Sequence, residues 1–280
     1  MRNTLRIIRA HIERSSEIQV FEIRDHDGNC RVKIPLIDGW AQASIEVKRP
    51  LSIAEQARFF RFLKGLVVPW QKGGLIRSWY FIHKDPGLRL RFRVGNKRDR
   101  LLTELAQAFG TFRFDWSGDV YFDSFLEQRE LFSSLRQTEV EKLLWISSET
   151  HLESVAHRLL ADEDHWSHFT VDFLGTFLQD SWWVWEALGR MQRLRRTTIL
   201  QNIKKPSRQV LHDPSQMLQR VQRLRLAPKA SVFPMSMSLL CCLNYIFNQW
   251  AISEKTQRNI LDKARELTQP LLAGHDDSRT

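Results

Sequence analysis

Arg89, Arg91 and Arg93 stand at every second position of one short segment of the chain. The positions around them are apolar: Leu88, Leu90, Phe92 and Val94. Because side chains alternate between the two faces of a β-strand, this spacing predicts a strand with three guanidinium groups on one face. A guanidinium offers a planar fork of donors that suits a carboxylate or a peptide carbonyl. The segment therefore predicts an anion-binding wall, and a solvated sheet face is the alternative.

An aromatic segment, residues 79–84, precedes the arginine segment, and a tight turn connects the two. The turn residues are Asp85, Pro86 and Gly87; proline fixes φ there and glycine is free to adopt a positive φ. These features predict a β-hairpin. His83 and Asp85 flank the turn and could form an acid–base pair, but a structural role is favoured.

The composition is that of a folded, basic protein. The chain has 280 residues, 42% of them hydrophobic, and a net charge of +10, which favours acidic partners such as an acidic peptide, nucleic acid or an anionic membrane surface. Cys30, Cys241 and Cys242 provide no disulfide framework, which indicates a reducing, cytoplasmic location. The basic N-terminus lacks the apolar core of a signal peptide, and no run reaches the length of a membrane span.

The order of strand and helix patterns predicts an α+β fold. Residues 19–24 and 30–37 alternate as strands around a turn, and Ser52 with Glu55 forms a capping box that begins a helix to about residue 66. Further patterns predict a helix at 98–109, a strand at 111–122, and helices at 139–160, 169–194, 214–226, 234–250 and 254–272. We expect a small, mostly antiparallel sheet in the first half, packed against a helical second half.

The aromatic strand, the Asp-Pro-Gly turn and the Arg-Leu-Arg-Phe strand resemble the thiopeptide-type bacteriocin biosynthesis domain. This family includes the C-terminal glutamate-elimination domain of lantibiotic dehydratases and the stand-alone pyridine synthases of thiopeptide and pyritide pathways. The resemblance implies a catalytic domain over residues 76–273 that needs no cofactor and no metal. Residues 1–75 would form an N-terminal extension that helps to bind a leader peptide, and residues 274–280 a disordered tail.

The resemblance also assigns site residues in the first half. Arg89 and Arg91 match the paired active-site arginines, which would hold a glutamyl carboxylate or a developing enolate oxygen. Arg93 would continue the row as a substrate-binding residue. A fainter match places Arg129 at a further active-site arginine position, with Tyr121 as a substrate-binding residue. An ordinary surface role for Arg129 is equally consistent with the sequence.

A helix near the C-terminus separates the family's two reactions. Elimination domains carry a histidine there as a proposed general base; in this chain Leu240 occupies that position, Tyr245 replaces an arginine and Asn244 is kept as a substrate-binding residue. Leucine cannot transfer a proton, whereas pyridine synthesis mainly needs orientation and hydrogen bonds that polarise an amide. Tyr245 or Ser238 could supply such a bond as catalytic residues. Alternatively, Tyr245 packs in the core with its hydroxyl at the surface.

Three aromatic or charged regions have open interpretations. Trp182 and Trp185 could bind substrate in an aromatic pocket or fill a core. The basic tract at residues 190–225 suggests first a solvated helical face, then a dock for an acidic leader peptide, and last a nucleic-acid site. The histidines and carboxylates at residues 162–172 favour a polar helix start over a metal site, because no metal-ligand motif is present.

Together these observations predict a cytoplasmic enzyme that tailors a dehydrated, leader-bearing, ribosomally made peptide. The preferred reaction is a formal aza-[4+2] cycloaddition of two dehydroalanines that gives a pyridine-centred macrocycle with loss of the leader. The alternatives are glutamyl β-elimination by a split dehydratase subunit and a non-catalytic leader-binding subunit. The expected partners are the acidic leader region and other enzymes of the same pathway; nucleic acid and membranes are not expected.

Overall fold

The computed structural model describes residues 6–9, 18–37, 39–49, 51–84, 87–123, 136–197, 211–224 and 232–273. The chain forms two compact units that divide between Glu127 and Gln128. A mostly antiparallel sheet with two helices occupies the first unit, and helices dominate the second. The α+β class is therefore confirmed. The proposed tail, residues 274–280, lies outside the described residues.

Among the residues that the structure describes, the first unit contains a seven-stranded sheet with the strand order β1-β2-β3-β4-β6-β5, and β7 also pairs with β4. Its elements are β1 (Arg6–Arg9), β2 (Ile18–Arg24), β3 (Cys30–Ile37), β4 (Trp40–Val47), α1 (Ile53–Lys72), β5 (Ile76–Lys84), β6 (Gly87–Val94), α2 (Arg98–Gly110) and β7 (Ser117–Asp123). Because β4 pairs directly with β6, the sheet is continuous across the predicted boundary at residue 75. The division between compact units falls later, at residue 127.

The predicted hairpin between β2 and β3 is confirmed, and local bonds hold its turn. Gly28 has a φ of +83°, a conformation that glycine adopts without steric cost. The Asp25 carboxylate accepts the backbone N–H groups of Asp27 and Asn29 at 3.1 and 2.9 Å, and it accepts the Arg31 Nε–H at 2.7 Å. The turn thus satisfies its own polar groups, which fixes the register of the two strands.

Helix α1 begins at the predicted capping box. The Glu55 backbone N–H donates to Ser52 Oγ at 3.3 Å, and the Ser52 N–H donates to the Glu55 carboxylate at 2.9 Å. A hydrogen bond from Arg49, followed by those from Ser52, lowers the pKa of Glu55 to about 2. The helix extends past the predicted end because Val67 and Trp70 continue its buried stripe.

Helices α1 and α2 cover one face of the sheet, which we call the helical face. Aromatic rings form this layer: Phe60 lies 5.1 Å from Phe81, and Trp70 lies 5.6 Å from Phe92. Phe109 of α2 contacts Phe92 as well, at 6.3 Å. The apolar half of the strand alternation is therefore the core of the first unit.

His83 lies on the helical face, on the same side of β5 as Phe81. The two rings are 6.0 Å apart in an edge contact, and the imidazole is half-buried. Burial lowers the pKa of His83 to about 4, because the charged imidazolium would lose its hydration there. Asp85, the other member of the suggested acid–base pair, lies outside the described residues.

The second unit contains six helices and a two-stranded ribbon among the described residues. Its elements are α3 (Gln137–His157), β8 (Leu160–Ala161), α4 (Glu163–Leu178), α5 (Ser181–Thr197), β9 (Leu211–His212), α6 (Ser215–Gln222), α7 (Val232–Gln249) and α8 (Glu254–Ala273). The single helix predicted at 169–194 is wrong. Gln179 ends α4 in the left-handed conformation at φ +59°, and the Asp180 carboxylate accepts the Trp182 N–H at 2.8 Å to begin α5.

Buried indoles anchor the core of the second unit. Trp166 and Trp250 pack edge to face at 5.0 Å. Each indole N–H has an acceptor: Trp166 donates to the His212 carbonyl at 3.0 Å, and Trp250 donates to Ser147 Oγ at 2.9 Å. Large apolar rings are thus buried without loss of hydrogen bonds. None of the described helices combines the length and apolarity needed to cross a bilayer.

Gly87 should tolerate no side chain. The sequence suggested that it provides a free φ, but the structure places it in β6 opposite Glu46, where an added Cβ would lie 2.1 Å from the Ile45 carbonyl oxygen. We expect Gly87→Ala to lower the free energy of unfolding by about 2 kcal/mol or more, measured by denaturant titration. Gly65→Ala is the matched control, because open space surrounds this helical glycine and the change should stabilise by about 0.5–1 kcal/mol. Equal effects of the two changes would contradict the close β4–β6 approach.

His83 should make the protein acid-sensitive. Its pKa is about 4 in the fold and about 6.5 when unfolded, so the unfolded chain binds the proton first as the pH falls. Stability should therefore fall between pH 6.5 and pH 4 by up to about 3 kcal/mol, and His83→Leu should remove that part of the loss. Unfolding titrations at pH 7 and pH 4.5 measure the difference. His26→Leu, which removes an exposed turn imidazole, is the control and should leave the loss in place.

Candidate functional site

The sheet face opposite α1 and α2 carries the three arginines of β6, and we call it the arginine face. Strand register aligns each of them with residues of both neighbouring strands. On β4, the residues directly opposite Arg89, Arg91 and Arg93 are, in that order, Ser44, Gln42 and Trp40. On β5, the opposite residues are Ile82, Tyr80 and Ser78 in the same order. The structure thus places the three arginines on one face, but it surrounds each with different groups.

Arg91 is the most buried of the three, with 4% of its surface exposed. Its Nε–H donates to Gln42 Oε1 at 2.9 Å, and its Nη1–H donates to Tyr80 Oη at 3.1 Å. The guanidinium carbon also lies 5.3 Å from the centre of the Tyr80 ring. Gln42 in turn donates its Nε2–H to Ser44 Oγ at 3.1 Å. Arg91 is therefore held in a buried polar network.

Gln42 and Tyr80 were not identified from the sequence. Gln42 offered a signal, because it is a polar residue at a position where β4 is otherwise buried and largely apolar. Tyr80 offered none, because an aromatic residue in a strand is ordinary core composition. Their proximity to Arg91 depends on which strands are neighbours, and sequence periodicity does not contain that information.

Arg93 stacks on the indole of Trp40. Its guanidinium carbon lies 5.6 Å from the centre of the Trp40 ring, and the Trp40 and Tyr80 rings meet edge to face at 5.3 Å. A half-buried arginine over tryptophan is a cation–π contact. Arg93 therefore already has a partner within the protein.

Arg89 differs from the other two arginines. It is half-buried, and it forms no hydrogen bond or ion pair with any residue that the structure describes. Ser44 on β4 lies directly opposite Arg89, and Tyr121 on β7 lies opposite Ser44 on its other side, so the three form one row across the strands. Tyr121 is 51% exposed. A guanidinium that lacks a protein acceptor retains its full set of donors for an anionic or carbonyl ligand. The N–H groups of Arg89 are thus not used by any described residue and are available to a ligand on this face.

His83 cannot reach a ligand on the arginine face. It lies on the helical face of β5, whereas its chain neighbour Ile82 lies on the arginine face, in the row of Arg89. Its side chain is therefore directed away from Arg89 and Arg91. A histidine elsewhere in the fold could replace the base that is missing at Leu240, but the sheet geometry excludes His83 from that role on the arginine face. Arg129 lies outside the described residues.

In the second unit, four predicted positions lie on α7. Leu240, which the resemblance places at the position of the elimination histidine, is a core residue with 3% exposure, and Ser238 is buried as well. Asn244 and Tyr245 are half-buried. Ser238 and Tyr245 are seven residues apart and so share one side of the helix. Burial raises the pKa of the nearby Cys241 thiol, which fits a small packed residue better than a nucleophile.

Trp182 and Trp185 form a stacked pair on α5. Their ring centres are 5.4 Å apart with an interplanar angle of 29°, and Trp182 is half exposed. The Arg265 guanidinium covers the Trp185 ring at 4.3 Å. The pair thus presents one open aromatic surface on the second unit.

Other charged groups of the second unit have local explanations. Asp162 caps α4 by accepting the His165 N–H at 2.8 Å, and this bond lowers the pKa of the Asp162 carboxyl. In the basic tract, Arg190 and Arg193 both pair with Glu186, at 2.9 and 3.4 Å. These contacts are those of a helix start and of a solvated helical face.

Solved structures match this chain, and two of them are compared with it. The tRNA-dependent lantibiotic dehydratase MibB from Microbispora sp. 107891 aligns with a TM-score of 0.57 and 15% identity, over 86% of this chain and 29% of that chain. TsrL aligns with a TM-score of 0.44 and 13% identity, over 81% of this chain and 94% of that chain. This chain therefore spans less than a third of MibB. No curated protein matches it in sequence.

A protein family matches most of the chain. The family described as the lantibiotic biosynthesis dehydratase C-terminal region covers residues 54–277, from the start of α1 to beyond α8. The match includes the strand that carries the arginines and the helix that carries Leu240. It confirms the resemblance noted in the sequence. The chain belongs to the lantibiotic biosynthesis dehydratase C-terminal family.

Proposed function

We propose that the protein is an enzyme that tailors a dehydrated, leader-bearing, ribosomally made peptide, and that it joins two dehydroalanines by a formal aza-[4+2] cycloaddition. One backbone amide would react as its iminol, so that one C–C and one C–N bond form in the new ring. Loss of water and then of the leader, as an amide, would give the aromatic pyridine. These steps balance without an oxidant or a reductant.

The choice of reaction rests on the residue at position 240. The position at which elimination domains carry their proposed base is Leu240, a buried apolar residue. Glutamyl elimination needs a group that removes the α-proton, and leucine has none to offer. His83, which might have replaced the base, lies on the helical face. A cycloaddition requires orientation and hydrogen bonds but no comparable base, so it fits these residues better.

Arg89 would provide the principal hydrogen bonds in the first unit. Two coplanar N–H groups can bind the oxygen of the reacting amide, and they bind it more strongly as negative charge develops there. The half-buried setting strengthens that contact relative to open water. Tyr121, in the same cross-strand row, would contact the peptide beside it.

We assign hydrogen-bonding and substrate-contact roles to the predicted site residues of α7 and α5. Tyr245 and Ser238 would supply additional hydrogen bonds to an amide, and Asn244 would contact the substrate. Trp182 and Trp185 would offer a flat apolar surface to the peptide. The net charge of +10 favours an acidic leader segment as the bound region, and the other enzymes of the pathway would be partners.

The alternative reaction, glutamyl β-elimination, is favoured by one observation, namely membership of a dehydratase C-terminal family. Two leader-bearing peptides separate the reactions by mass spectrometry. One carries two dehydroalanines spaced for ring closure, and the other carries glutamylated serine. We expect the first to lose water and the leader, and the second to remain unchanged. Loss of glutamate from the second would establish elimination instead, and binding of both without change would favour a non-catalytic subunit.

Arg89 should be essential for turnover but not for folding. We expect Arg89→Ala to lower kcat/KM by about 100-fold, the effect of losing one oxyanion donor, while the melting temperature stays unchanged because no described residue loses a bond. Arg89→Lys should recover little, because an ammonium lacks the planar fork. Arg61→Ala is the charge-matched control, because Arg61 is exposed on α1. Full turnover by Arg89→Ala in the peptide assay would exclude Arg89 from the reaction.

A further inference from the structure

The cross-strand row that contains Arg89 also contains one small polar side chain, that of Ser44. Ser44 lies directly opposite Arg89 of β6 on one side and opposite Tyr121 of β7 on the other. Ser44 is buried, with 3% exposure, whereas Arg89 is half-buried and Tyr121 is 51% exposed. Because directly opposite side chains on neighbouring strands lie about 5 Å apart at Cβ, the Ser44 hydroxyl stands between two longer groups.

The directions of the hydrogen bonds around Ser44 follow from the chemistry of its neighbours. Arg91 can only donate, so the end of Gln42 that meets its Nε–H at 2.9 Å is the amide oxygen. The other end of the amide is then the NH₂ group, which donates to Ser44 Oγ at 3.1 Å. Ser44 is therefore an acceptor toward Gln42, and its own hydroxyl hydrogen is directed elsewhere.

The Ser44 hydroxyl hydrogen has no acceptor on any residue that the structure describes. A buried donor without an acceptor costs free energy, so an oxygen of a ligand at this position is favoured. Arg89 lies directly opposite, and no described residue uses its N–H groups either. One row thus holds two open donors, a planar fork on β6 and a single hydroxyl on β4.

We propose that Ser44 is a further substrate-contacting residue, whose hydroxyl donates to the same oxygen that Arg89 binds. Two donors from neighbouring strands around one carbonyl oxygen form an oxyanion hole, which stabilises negative charge as it develops there. The identity of this oxygen as that of the reacting amide rests on the proposed function. The pairing of the two donors is a property of the folded protein and can be measured with a simple carboxylate.

The substrate-free experiment is protection of Arg89 from phenylglyoxal by sodium acetate, read by mass spectrometry, with sodium chloride of equal ionic strength as the reference. In the wild type we expect acetate to slow the modification of Arg89. Ser44→Ala should raise the acetate concentration for half-protection by about 5-fold, because one of two donors is lost. Ser78→Ala is the matched control, since it removes a hydroxyl from the arginine face opposite Arg93 and should leave the protection unchanged.

A second variant separates the hydrogen bond from packing. Ser44→Cys has a similar volume but offers only a weak donor, so it should weaken the protection as Ser44→Ala does. It also keeps the test available if Ser44→Ala, which removes the acceptor of Gln42 Nε2, does not fold. The pairing is overturned if acetate fails to protect Arg89 in the wild type, or if it protects the wild type and the Ser44 variants equally.

Turnover of whichever peptide the wild type converts tests the role of Ser44 in the reaction. We expect Ser44→Ala and Ser44→Cys to lower kcat by about 10-fold or more with a much smaller change in KM, because the hydroxyl acts on charge that develops in the transition state. In an Arg89→Ala background, Ser44→Ala should cause a smaller further loss, since the two donors share one oxygen. A wild-type kcat in Ser44→Ala would exclude Ser44 from the reaction. If the wild type converts neither peptide, the proposed function fails, while the acetate result still decides the pairing.

Discussion

A guanidinium can leave water only where oxygen atoms and aromatic rings replace its hydration, and the first unit is built around this requirement. Strand β6 places aromatic and aliphatic groups on the helical face, so its arginines have to occupy the other face. Burial of Arg91 there needs acceptors at fixed positions on both sides, which Gln42 and Tyr80 provide. A slip of one residue in either neighbouring strand would move that acceptor to the helical face. The polar network and the register of the sheet therefore depend on each other.

The same requirement explains why three arginines with identical spacing have different surroundings. Arg91 is bonded and buried, and Arg93 stacks on Trp40. Arg89 stands beside Ile82 and Ser44, and Ser44 Oγ already accepts a bond from Gln42. The arginine whose donors stay open is thus determined by the acceptors that the neighbouring strands offer, rather than by any property of the arginine itself.

Features that depend on neighbouring residues in the chain could be predicted from the sequence. The alternation in β6, the Gly28 turn and the Ser52 capping box all involve groups within a few residues, whose geometry is common to most proteins. The Gln42–Arg91 bond joins residues 49 positions apart, and it exists only because β4 lies next to β6. The boundary between α4 and α5 was missed for a different reason. The helical periodicity continues through it, and the residue that ends α4 in the left-handed conformation is a glutamine, which carries no turn signal of its own.

Strand β4 forms ladders with β3, β6 and β7, and the last of these partners ends only at Asp123. During synthesis the chain emerges from its N-terminus, so β4 must wait for residues made much later before either of its long ladders can form. Until then the described pairing of β4 is limited to two residue pairs with β3, so most of its buried residues stay exposed, which is the kind of surface that chaperones shield. The arginine face is thus one of the last parts of the first unit to assemble. Its last strand ends at Asp123, shortly before Gln128, the first residue of the second unit.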